Sequence, residues 1–390
     1  MQNISSSKST VLFSNRLLTL YSLSLLFGIT LGVFNPLMST FMEQQQISQI
    51  WIGINSTVYF LSIAIATPLV NRLLRQRGSR WVLLFGLLVM GLSASSFPLT
   101  SQLPLWFILR IGMGFGVSCF FIAGQTALNH FSHENNRAKV SGLFFLALGL
   151  GFIIGPTLGP QFYNISPQFA FLMGGMVVMI AFILVWCCFR DQLAIETSSN
   201  VPLLPLVEQF KFPLHGAFAY GMSEATLITL YPVFLLNQNY SVEQMGVTLS
   251  IFVLGTLLST VPMTNLADRL GKLNVLFACI SVGILVSFGL TFISNYRLTL
   301  MFSILAGASI GPVYPLCLAL VGEQVNAKDL SAGTALFTTT YCLGNAAGPI
   351  LASLMMAMLG NRFIFSAFIP LYLFLLFRMR IREKKQSKFK

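Results

Sequence analysis

Two charged residues, Arg110 and Glu224, fall well inside long apolar stretches of this sequence. A charge at the centre of a bilayer costs roughly 2.5–3.5 kcal/mol on insertion scales, so such a residue faces a cavity or a partner. For Arg110 we weigh contact with an anion or carboxylate in a central cavity against a structural pair or hydrogen bonds to backbone carbonyls. For Glu224 we weigh reversible binding of a proton or cation against a structural pair. In both cases we favour the first alternative.

Polar groups that are unusual in apolar stretches accompany these two charges. They are Asn35, Asn55, Tyr59, Gln125, Tyr220, Tyr231, Tyr314, Tyr341 and Asn345. Any one of them, taken alone, is typical of a hydrogen-bonding contact between membrane helices. The sequence contains no phosphate-binding loop, no nucleophile–base set and no spacing typical of metal ligands. It therefore predicts that the protein is not an enzyme and uses no cofactor or metal.

The composition indicates the environment of these residues. Of the 390 residues 55% are hydrophobic and 9% are charged, whereas soluble domains average about 25% charged residues. The apolar stretches are long and continuous rather than short and alternating, which favours helices over a barrel. We predict an all-α integral membrane protein in contact with the lipid bilayer. The net charge of +12 then reflects orientation and anionic lipid headgroups, not nucleic acid.

Twelve apolar runs are each long enough to cross a hydrocarbon core of about 30 Å. They span residues 17–41, 50–70, 81–100, 104–129, 138–160, 169–189, 212–237, 244–263, 273–293, 298–321, 331–358 and 361–378. The pair Asn35-Pro36 is expected to interrupt the first run towards its far end. A polar stretch at 190–211 predicts a cytoplasmic linker between two halves, 1–189 and 212–378. A basic cytoplasmic tail is predicted at 379–390.

The two halves share a pattern of glycines and prolines. Charged turns end at Gly78 in the first half and near Gly271 in the second, an offset of 193 residues (271 − 78). The same offset relates Gly53 to Gly246, Gly114 to Gly307, Gly151 to Gly344, Gly155 to Gly348, and Pro156 to Pro349. An internal repeat in a membrane protein is typical of transporters, whose binding sites lie between the repeats.

The basic residues predict the orientation of the chain. Of the 23 Lys and Arg residues, all except Arg110, Arg297 and Arg362 fall on the side of the predicted spans that carries both termini. Positively charged loops stay in the cytoplasm, so we expect both termini to be cytoplasmic. The predicted location is the inner (cytoplasmic) membrane, as a multi-pass protein.

The arrangement of six and six spans, with charged turns after the second and eighth, resembles the major facilitator superfamily. The resemblance covers essentially the whole chain. The turn Leu266-Ala267-Asp268-Arg269-x-Gly271-Lys272 is similar to the family signature G-x-L-A-D-R-x-G-R/K, with Thr264 where the first Gly is usual. The first-half copy of this turn departs from the signature, because Arg75 and Gln76 stand at the positions of its Asp and Arg.

Two further motifs carry the resemblance. The signature R-x-x-x-G-x-G matches Arg110, Gly114 and Gly116. The signature G-x-x-x-G-P-x-x-G, which the family associates with antiporters and exporters, matches Gly151, Gly155, Pro156 and Gly159, with Pro160 where another Gly is usual. Glycines four residues apart lie on one helical face and permit close backbone approach, while Pro156 bends its helix. The stretch at 311–315, Gly-Pro-Val-Tyr-Pro, resembles a small bacterial subgroup of the family.

The resemblance implies a fold of twelve transmembrane helices in two six-helix halves, with a cavity lined by the first, fourth, seventh and tenth spans. Candidates for substrate or proton binding on those spans are Asn35, Arg110, Gln125, Tyr220, Glu224 and Tyr314. Candidates for gating are Asp268, Arg269, Gly271, Gly151, Gly155 and Pro156. Asp268 is expected to cap the helix that begins near Arg137 when the cytoplasmic side is closed. For Glu323, at the end of the tenth span, we expect a local ion pair.

We therefore expect a secondary active transporter that exports a small organic molecule in exchange for protons, by alternating access and as a monomer. Two alternatives stay open on the sequence alone. One is an importer or uniporter with the same fold, and the other is a membrane receptor or scaffold that does not transport.

Overall fold

The computed structural model describes residue 12 and residues 14–132, 136–189, 204–324 and 330–387. Within these ranges every regular element is a helix and none is a β-strand, which confirms the all-α prediction for the described part of the chain. Parts of the predicted linker and tail, together with the first residues, lie outside the described residues. They are residues 1–11, 13, 190–203 and 388–390.

The contacts divide the chain into two compact units. Unit 1 consists of the described parts of Met1–Phe41 and Leu61–Thr197, and unit 2 of those of Met42–Phe60 and Ser198–Lys390. The predicted halves, 1–189 and 212–378, rest on the sequence repeat and stay a prediction.

Among the described residues, the helices before the predicted linker are α1 (Asn15–Gln44), α2 (Gln49–Ser95), α3 (Leu103–Phe131), α4 (Arg137–Ile165) and α5 (Pro167–Cys188). Those that follow are α6 (Leu204–Gln209), α7 (Lys211–Thr229), α8 (Tyr231–Leu236), α9 (Val242–Leu270), α10 (Lys272–Phe292), α11 (Tyr296–Ile310), α12 (Val313–Gln324), α13 (Leu330–Leu359) and α14 (Ile369–Ser387). Short 3₁₀ turns at Phe97–Leu99 and Asn361–Ala367 connect α2 to α3 and α13 to α14.

Ten helical segments of the described chain are long and apolar enough to cross a membrane. A helix bonds its own backbone groups internally, which is why continuous apolar runs adopt it in lipid. The longest segment, Gln49–Leu99, has 51 residues and contains a non-helical residue, Gly78. The prediction of a multi-pass membrane protein is confirmed, and the count of twelve spans stays a prediction.

Proline positions account for the main differences from the predicted runs. The run at 212–237 is split between α7 and α8, and the run at 298–321 is split at Gly311 and Pro312. Proline lacks the amide hydrogen that the preceding turn needs, so a helix tends to end before it. The expectation that Asn35-Pro36 interrupts the first run was wrong, because α1 continues through Pro36 to Gln44. One lost backbone bond there leaves the flanking turns intact.

The two turn glycines adopt backbone angles that other residues rarely reach. The φ angle is 77° at Gly78 and 90° at Gly271. A side chain would clash with the backbone in this left-handed region, and glycine has none. The prediction that Gly271 permits a tight reversal between α9 and α10 is confirmed, and Gly78 plays the same part within α2.

In unit 1, glycines bring the backbones of α1 and α4 into contact. A Cβ atom added at Gly151 would lie 2.2 Å from the Leu25 carbonyl oxygen, and one at Gly155 would lie 2.5 Å from that of Ile29. A Cβ at Gly28 would meet the Leu148 carbonyl oxygen at 2.1 Å. These separations are shorter than any carbon–oxygen contact allows, so only glycine fits at these positions.

In unit 2, α7 and α13 approach each other in the same way. A Cβ at Gly344 would lie 2.3 Å from the Phe218 carbonyl oxygen, and one at Gly348 would lie 2.5 Å from that of Met222. A Cβ at Gly221 would meet the Tyr341 carbonyl oxygen at 2.3 Å. The close face predicted from the glycine spacing is therefore present in both helix pairs.

We expect the substitutions Gly151→Ala and Gly344→Ala to lower the thermal unfolding temperature of the purified protein. Each added methyl group forces two backbones apart, and overpacking of this kind costs about 1–3 kcal/mol. Intrinsic fluorescence during heating in detergent measures the effect. Gly142→Ala and Gly322→Ala are matched controls, because no atom beyond the neighbouring backbone of the same helix lies within 4 Å of a Cβ there. Equal unfolding temperatures for Gly344→Ala and Gly322→Ala would contradict the close-packing argument.

Candidate functional site

The Glu224 side chain lies near the middle of the α7–α8 segment and accepts two hydrogen bonds from tyrosines. The Tyr220 hydroxyl donates to Glu224 Oε1 at 3.3 Å, and the Tyr341 hydroxyl donates to Glu224 Oε2. Tyr220 is one helical turn before Glu224 on α7, whereas Tyr341 reaches it from α13. Hydrogen bonds to an ionised group are the stronger kind, so the two phenols stabilise a carboxylate that has left bulk water.

Three tyrosines surround this carboxylate, and we call Tyr220, Tyr314 and Tyr341 the tyrosine cluster. Their ring centroids are 5.1 Å apart for Tyr314 and Tyr341, 5.5 Å for Tyr220 and Tyr314, and 6.0 Å for Tyr220 and Tyr341. These separations are typical of favourable aromatic pairs. Glu224 and all three tyrosines are half-buried, so each keeps part of its side-chain surface accessible.

The helix packing explains why Tyr341 can reach Glu224. Gly221 lies one turn before Glu224 and contacts the backbone of Tyr341 itself, where a Cβ would be 2.3 Å from the carbonyl oxygen. The absence of side chains at Gly221 and Gly344 thus lets α7 and α13 approach until a phenol on one spans to a carboxylate on the other. A further hydrogen bond joins α7 to α14, where the Ser223 and Tyr372 hydroxyl oxygens lie 2.8 Å apart.

No described residue of unit 2 supplies a positive charge to Glu224. The ion pairs that the described part of this unit contains are Lys211 with Glu208 and Lys272 with Glu323, at helix ends. The carboxylate is therefore compensated by phenol hydroxyls, not by a cation of its own unit. Such a group can exchange a proton without breaking a salt bridge.

Arg110 lies on α3 of unit 1, where its side chain is fully buried. One of its terminal nitrogens, Nη1, donates a hydrogen bond to Asn35 Oδ1 at 3.0 Å, and Asn35 is itself buried. The guanidinium carbon lies 6.0 Å from the centre of the Phe97 ring, which stacks on Trp106 at 5.4 Å. The aromatic ring and the amide thus both lie near the charge, and the Arg110–Asn35 pair joins α1 to α3.

The structure brings the candidate residues together in two groups. Tyr220, Glu224 and Tyr314 meet in unit 2, and Asn35 and Arg110 meet in unit 1. Gln125 joins neither group; it is exposed and makes no hydrogen bond to a described residue of unit 1.

Tyr341 was not among the residues predicted to bind substrate or protons, although it is one of the polar residues in the apolar runs. Its run was not among those expected to line the cavity. The glycines at 344 and 348 were the available signal, because they show which face of α13 approaches a neighbour. Tyr372 gave no signal, since a tyrosine near a helix end is common in membrane proteins.

The charged turn of unit 2 is exposed. Asp268 and Arg269 are both accessible, and Asp268 has no hydrogen bond or ion pair with a described residue of its own unit. Lys272, which follows Gly271, forms an ion pair with Glu323 at the end of α12. The predicted local ion pair of Glu323 is confirmed, and it ties the start of α10 to α12.

The comparisons with known proteins concern nearly the whole chain. The family model of the Major Facilitator Superfamily matches residues 20–209 and 214–390. The uncharacterized MFS-type transporter YfkF of Bacillus subtilis (strain 168) is 26% identical over 330 residues, which cover 83% of this chain and 84% of that protein. An uncharacterized MFS-type transporter of Yersinia pseudotuberculosis serotype O:3 (strain YPIII) is 25% identical over 359 residues, covering 90% and 92% of the two chains.

Solved structures of transporters share the fold. The nucleoside transporter NupG superimposes with a TM-score of 0.78 at 14% identity, covering 95% of this chain and 99% of that one. A bacterial homolog of the human lysosomal transporter Spinster, in an inward-facing and unoccupied conformation, gives 0.72 at 12% identity, with 94% of each chain covered. At these identities the likeness concerns the fold alone.

A double-mutant cycle tests whether Arg110 and Asn35 act as a pair. We expect Asn35→Leu to destabilise the protein by about 1.5–3 kcal/mol, the value of a hydrogen bond to a charged group. Arg110→Met should remove most of that penalty, giving a coupling of about 0.5–3 kcal/mol in detergent-unfolding measurements. Arg110→Lys keeps the charge but loses the planar fork of donors, so it should also weaken the coupling. Strictly additive effects would show that the two side chains do not depend on each other.

Proposed function

The chain belongs to the Major Facilitator Superfamily and is a membrane transporter rather than an enzyme, and on this premise we propose that it exports a small organic molecule in exchange for protons. The observation that carries the proposal is the Glu224 carboxylate, which is held in a membrane helix by two phenol hydroxyls and has no cationic partner from described residues of its unit. An acid in this setting binds and releases a proton as its access to water changes.

The proposed cycle is alternating access between two six-helix halves with twelve membrane crossings. Two features support twelve crossings beyond the ten apolar segments. Gln49–Leu99 contains two membrane lengths separated at Gly78, and α7 with α8 supplies one more. The packing contacts support the repeat, because Gly151 against Leu25 and Gly344 against Phe218 are related by the offset of 193 in both partners.

The coupling follows from linkage. If protonation of Glu224 and binding of the transported molecule affect each other, each changes the affinity of the other by the same factor. A proton gradient then drives the molecule uphill, because the carboxylate loads on the acidic side and releases on the other. Arg110, Asn35, Gln125, Tyr220 and Tyr314 are proposed as further residues of the transport site.

The direction and gating rest on the family signatures. The motif at Gly151, Gly155 and Pro156 is the one associated with antiporters and exporters, and its glycines make the close contacts with α1 that two sliding helices need. In the second-half turn, Asp268, Arg269 and Gly271 are proposed to control the gate. The charge distribution supports cytoplasmic termini in an inner membrane, and we propose that the unit of function is a monomer.

Proteoliposomes with a trapped pH-sensitive dye test the coupling across a panel of chemically different compounds. The full-length protein is exposed to an imposed pH gradient and to one compound at a time: a nucleoside, a hexose, a dicarboxylate and a quaternary ammonium. At least one compound should move the internal pH with the wild-type protein but not in protein-free liposomes. Glu224→Gln should abolish this proton movement, while downhill exchange of the same compound, measured at a saturating concentration, persists because exchange needs no net proton transfer.

The matched control for that experiment is Glu243→Gln, which removes an acid from the first turn of α9, outside the tyrosine cluster. It should behave as the wild type. Proton movement by Glu224→Gln equal to the wild type would exclude Glu224 as the coupling site. Transport of a compound without any pH change would instead establish a uniporter, and no response to any of the four would contradict proton-coupled export.

We expect Asp268→Asn to shift the protein towards the inward-open state. A carboxylate near a helix N-terminus contributes about 0.3–1 kcal/mol, and up to ~2 kcal/mol when partly buried, so its loss removes up to about that much stability from the closed gate. Distances between spin labels on the cytoplasmic face measure the populations. Glu208→Gln, which removes another exposed acid, should leave the distances unchanged. Wild-type distances in Asp268→Asn would show that this acid does not control the gate.

A further inference from the structure

The surroundings of Glu224 point to the charge of its ligand. In the described part of unit 2 this carboxylate has no ion pair, and its hydrogen bonds come from Tyr220 and Tyr341. Neutral phenols offset only part of the cost of keeping a negative charge away from water. A positively charged ligand supplies the remainder, whereas an anionic ligand would add a second uncompensated charge.

The tyrosine cluster offers the aromatic surface that organic cations favour. A cation within about 6 Å of a ring centroid is attracted by the negative face of the ring, and recognition of quaternary ammonium groups by aromatic side chains depends on this effect. The three rings are close to one another, and the fully buried Phe337 ring packs against Tyr314 with its centroid 5.2 Å away. All three tyrosines keep part of their surface accessible.

On the basis of the proposed transport function, we propose that Glu224 and the tyrosine cluster bind the transported molecule as an organic cation, a quaternary or protonated amine with an apolar body. The cationic group lies against the Glu224 carboxylate, and its substituents contact the aromatic rings. Tyr220 and Tyr341 hold the carboxylate in place while the site is empty. Tyr314 makes no hydrogen bond to Glu224, so its contribution comes from its ring.

This arrangement makes the proton and the organic cation compete for one carboxylate. Among the described residues of unit 2, the other titratable groups near Glu224 are Tyr220 on its own helix, Tyr341 and Cys342 on α13, Tyr314 on α12 and Tyr372 on α14. Phenols ordinarily titrate near pH 10 and thiols near pH 8.5, so none of them carries a positive charge at any pH. Protonation of Glu224 removes the negative charge that the cation binds. Binding of a cation with a fixed charge should therefore weaken as the medium becomes more acidic.

Equilibrium binding of tetraphenylphosphonium to the purified full-length protein tests the proposal. The probe has a fixed positive charge and four aromatic groups, and tetraphenylborate has the same shape with a negative charge. We expect saturable phosphonium binding at pH 7.5 that weakens about tenfold or more at pH 5.5, a change of ~1.4 kcal/mol. Tetraphenylborate should neither bind saturably nor compete.

Substitutions separate the charge from the rings. Glu224→Gln should weaken phosphonium binding about tenfold or more and remove its pH dependence, while Glu224→Asp retains tighter binding than Gln. Tyr314→Leu removes the ring and should bind about tenfold more weakly than the wild type, whereas Tyr314→Phe keeps the ring and should bind more tightly than Tyr314→Leu. Glu243→Gln controls for the loss of one negative charge. If Glu224→Gln does not fold, Glu224→Asp and the two Tyr314 variants decide the question.

The outcomes distinguish this inference from the proposed function. Equal phosphonium binding by wild type and Glu224→Gln, absence of saturable phosphonium binding, or equal competition by tetraphenylborate would overturn the cation site. Proton-coupled transport of the nucleoside, hexose or dicarboxylate without phosphonium binding would support the proposed transport function and contradict the proposal that its ligand is a cation. Phosphonium binding lost in Glu224→Gln, with no proton movement in proteoliposomes, would support the cation site and remove proton coupling.

Discussion

The direct contact between helix backbones at glycine positions is the constraint on which the other features of the structure depend. At Gly344 and Gly221 on one pair of helices, and at Gly151 and Gly28 on the other, an added Cβ would lie 2.1–2.3 Å from a carbonyl oxygen. Inside lipid no hydrophobic force pushes helices together, so association relies on such close packing. The Glu224–Tyr341 hydrogen bond forms beside this contact, because Gly221, one turn before Glu224, packs against the backbone of Tyr341 itself.

The sequence predicts local and periodic features well. Glycine spacing identified the faces of α4 and α13 that pack closely, and the turn signature identified Gly271. The position of Glu323 at the end of a span predicted a local ion pair, but not that Lys272 is its partner. The partner of Glu224 was beyond it, because Tyr341 is 117 residues away along the chain and no period or motif relates the two. The continuous course of α1 through Pro36 could not be predicted either, since surrounding packing decides whether a proline ends a helix or is accommodated.

Positions related by the offset of 193 residues have similar packing but different side chains. Phe27 and Phe121 in unit 1 correspond to Tyr220 and Tyr314 in unit 2, and the ring centroids are 6.0 Å and 5.5 Å apart. Leu31 stands where unit 2 has Glu224. Each difference is a change of side chain on the same kind of helix contact. The polar side chains of unit 2 are thus compatible with the same close backbone packing that is present in unit 1.

Glu224 is the one acid of this sequence that lies far from both ends of its apolar run. Under the proposed mechanism a single carboxylate limits the exchange to one proton for each turnover. Exchange of one proton for one monovalent cation moves no net charge, so the membrane voltage adds nothing and only the pH difference does work. Each pH unit then sustains at most about a tenfold concentration ratio, or ~1.4 kcal/mol. The single acid therefore limits the concentration ratio that such a carrier can maintain across the membrane.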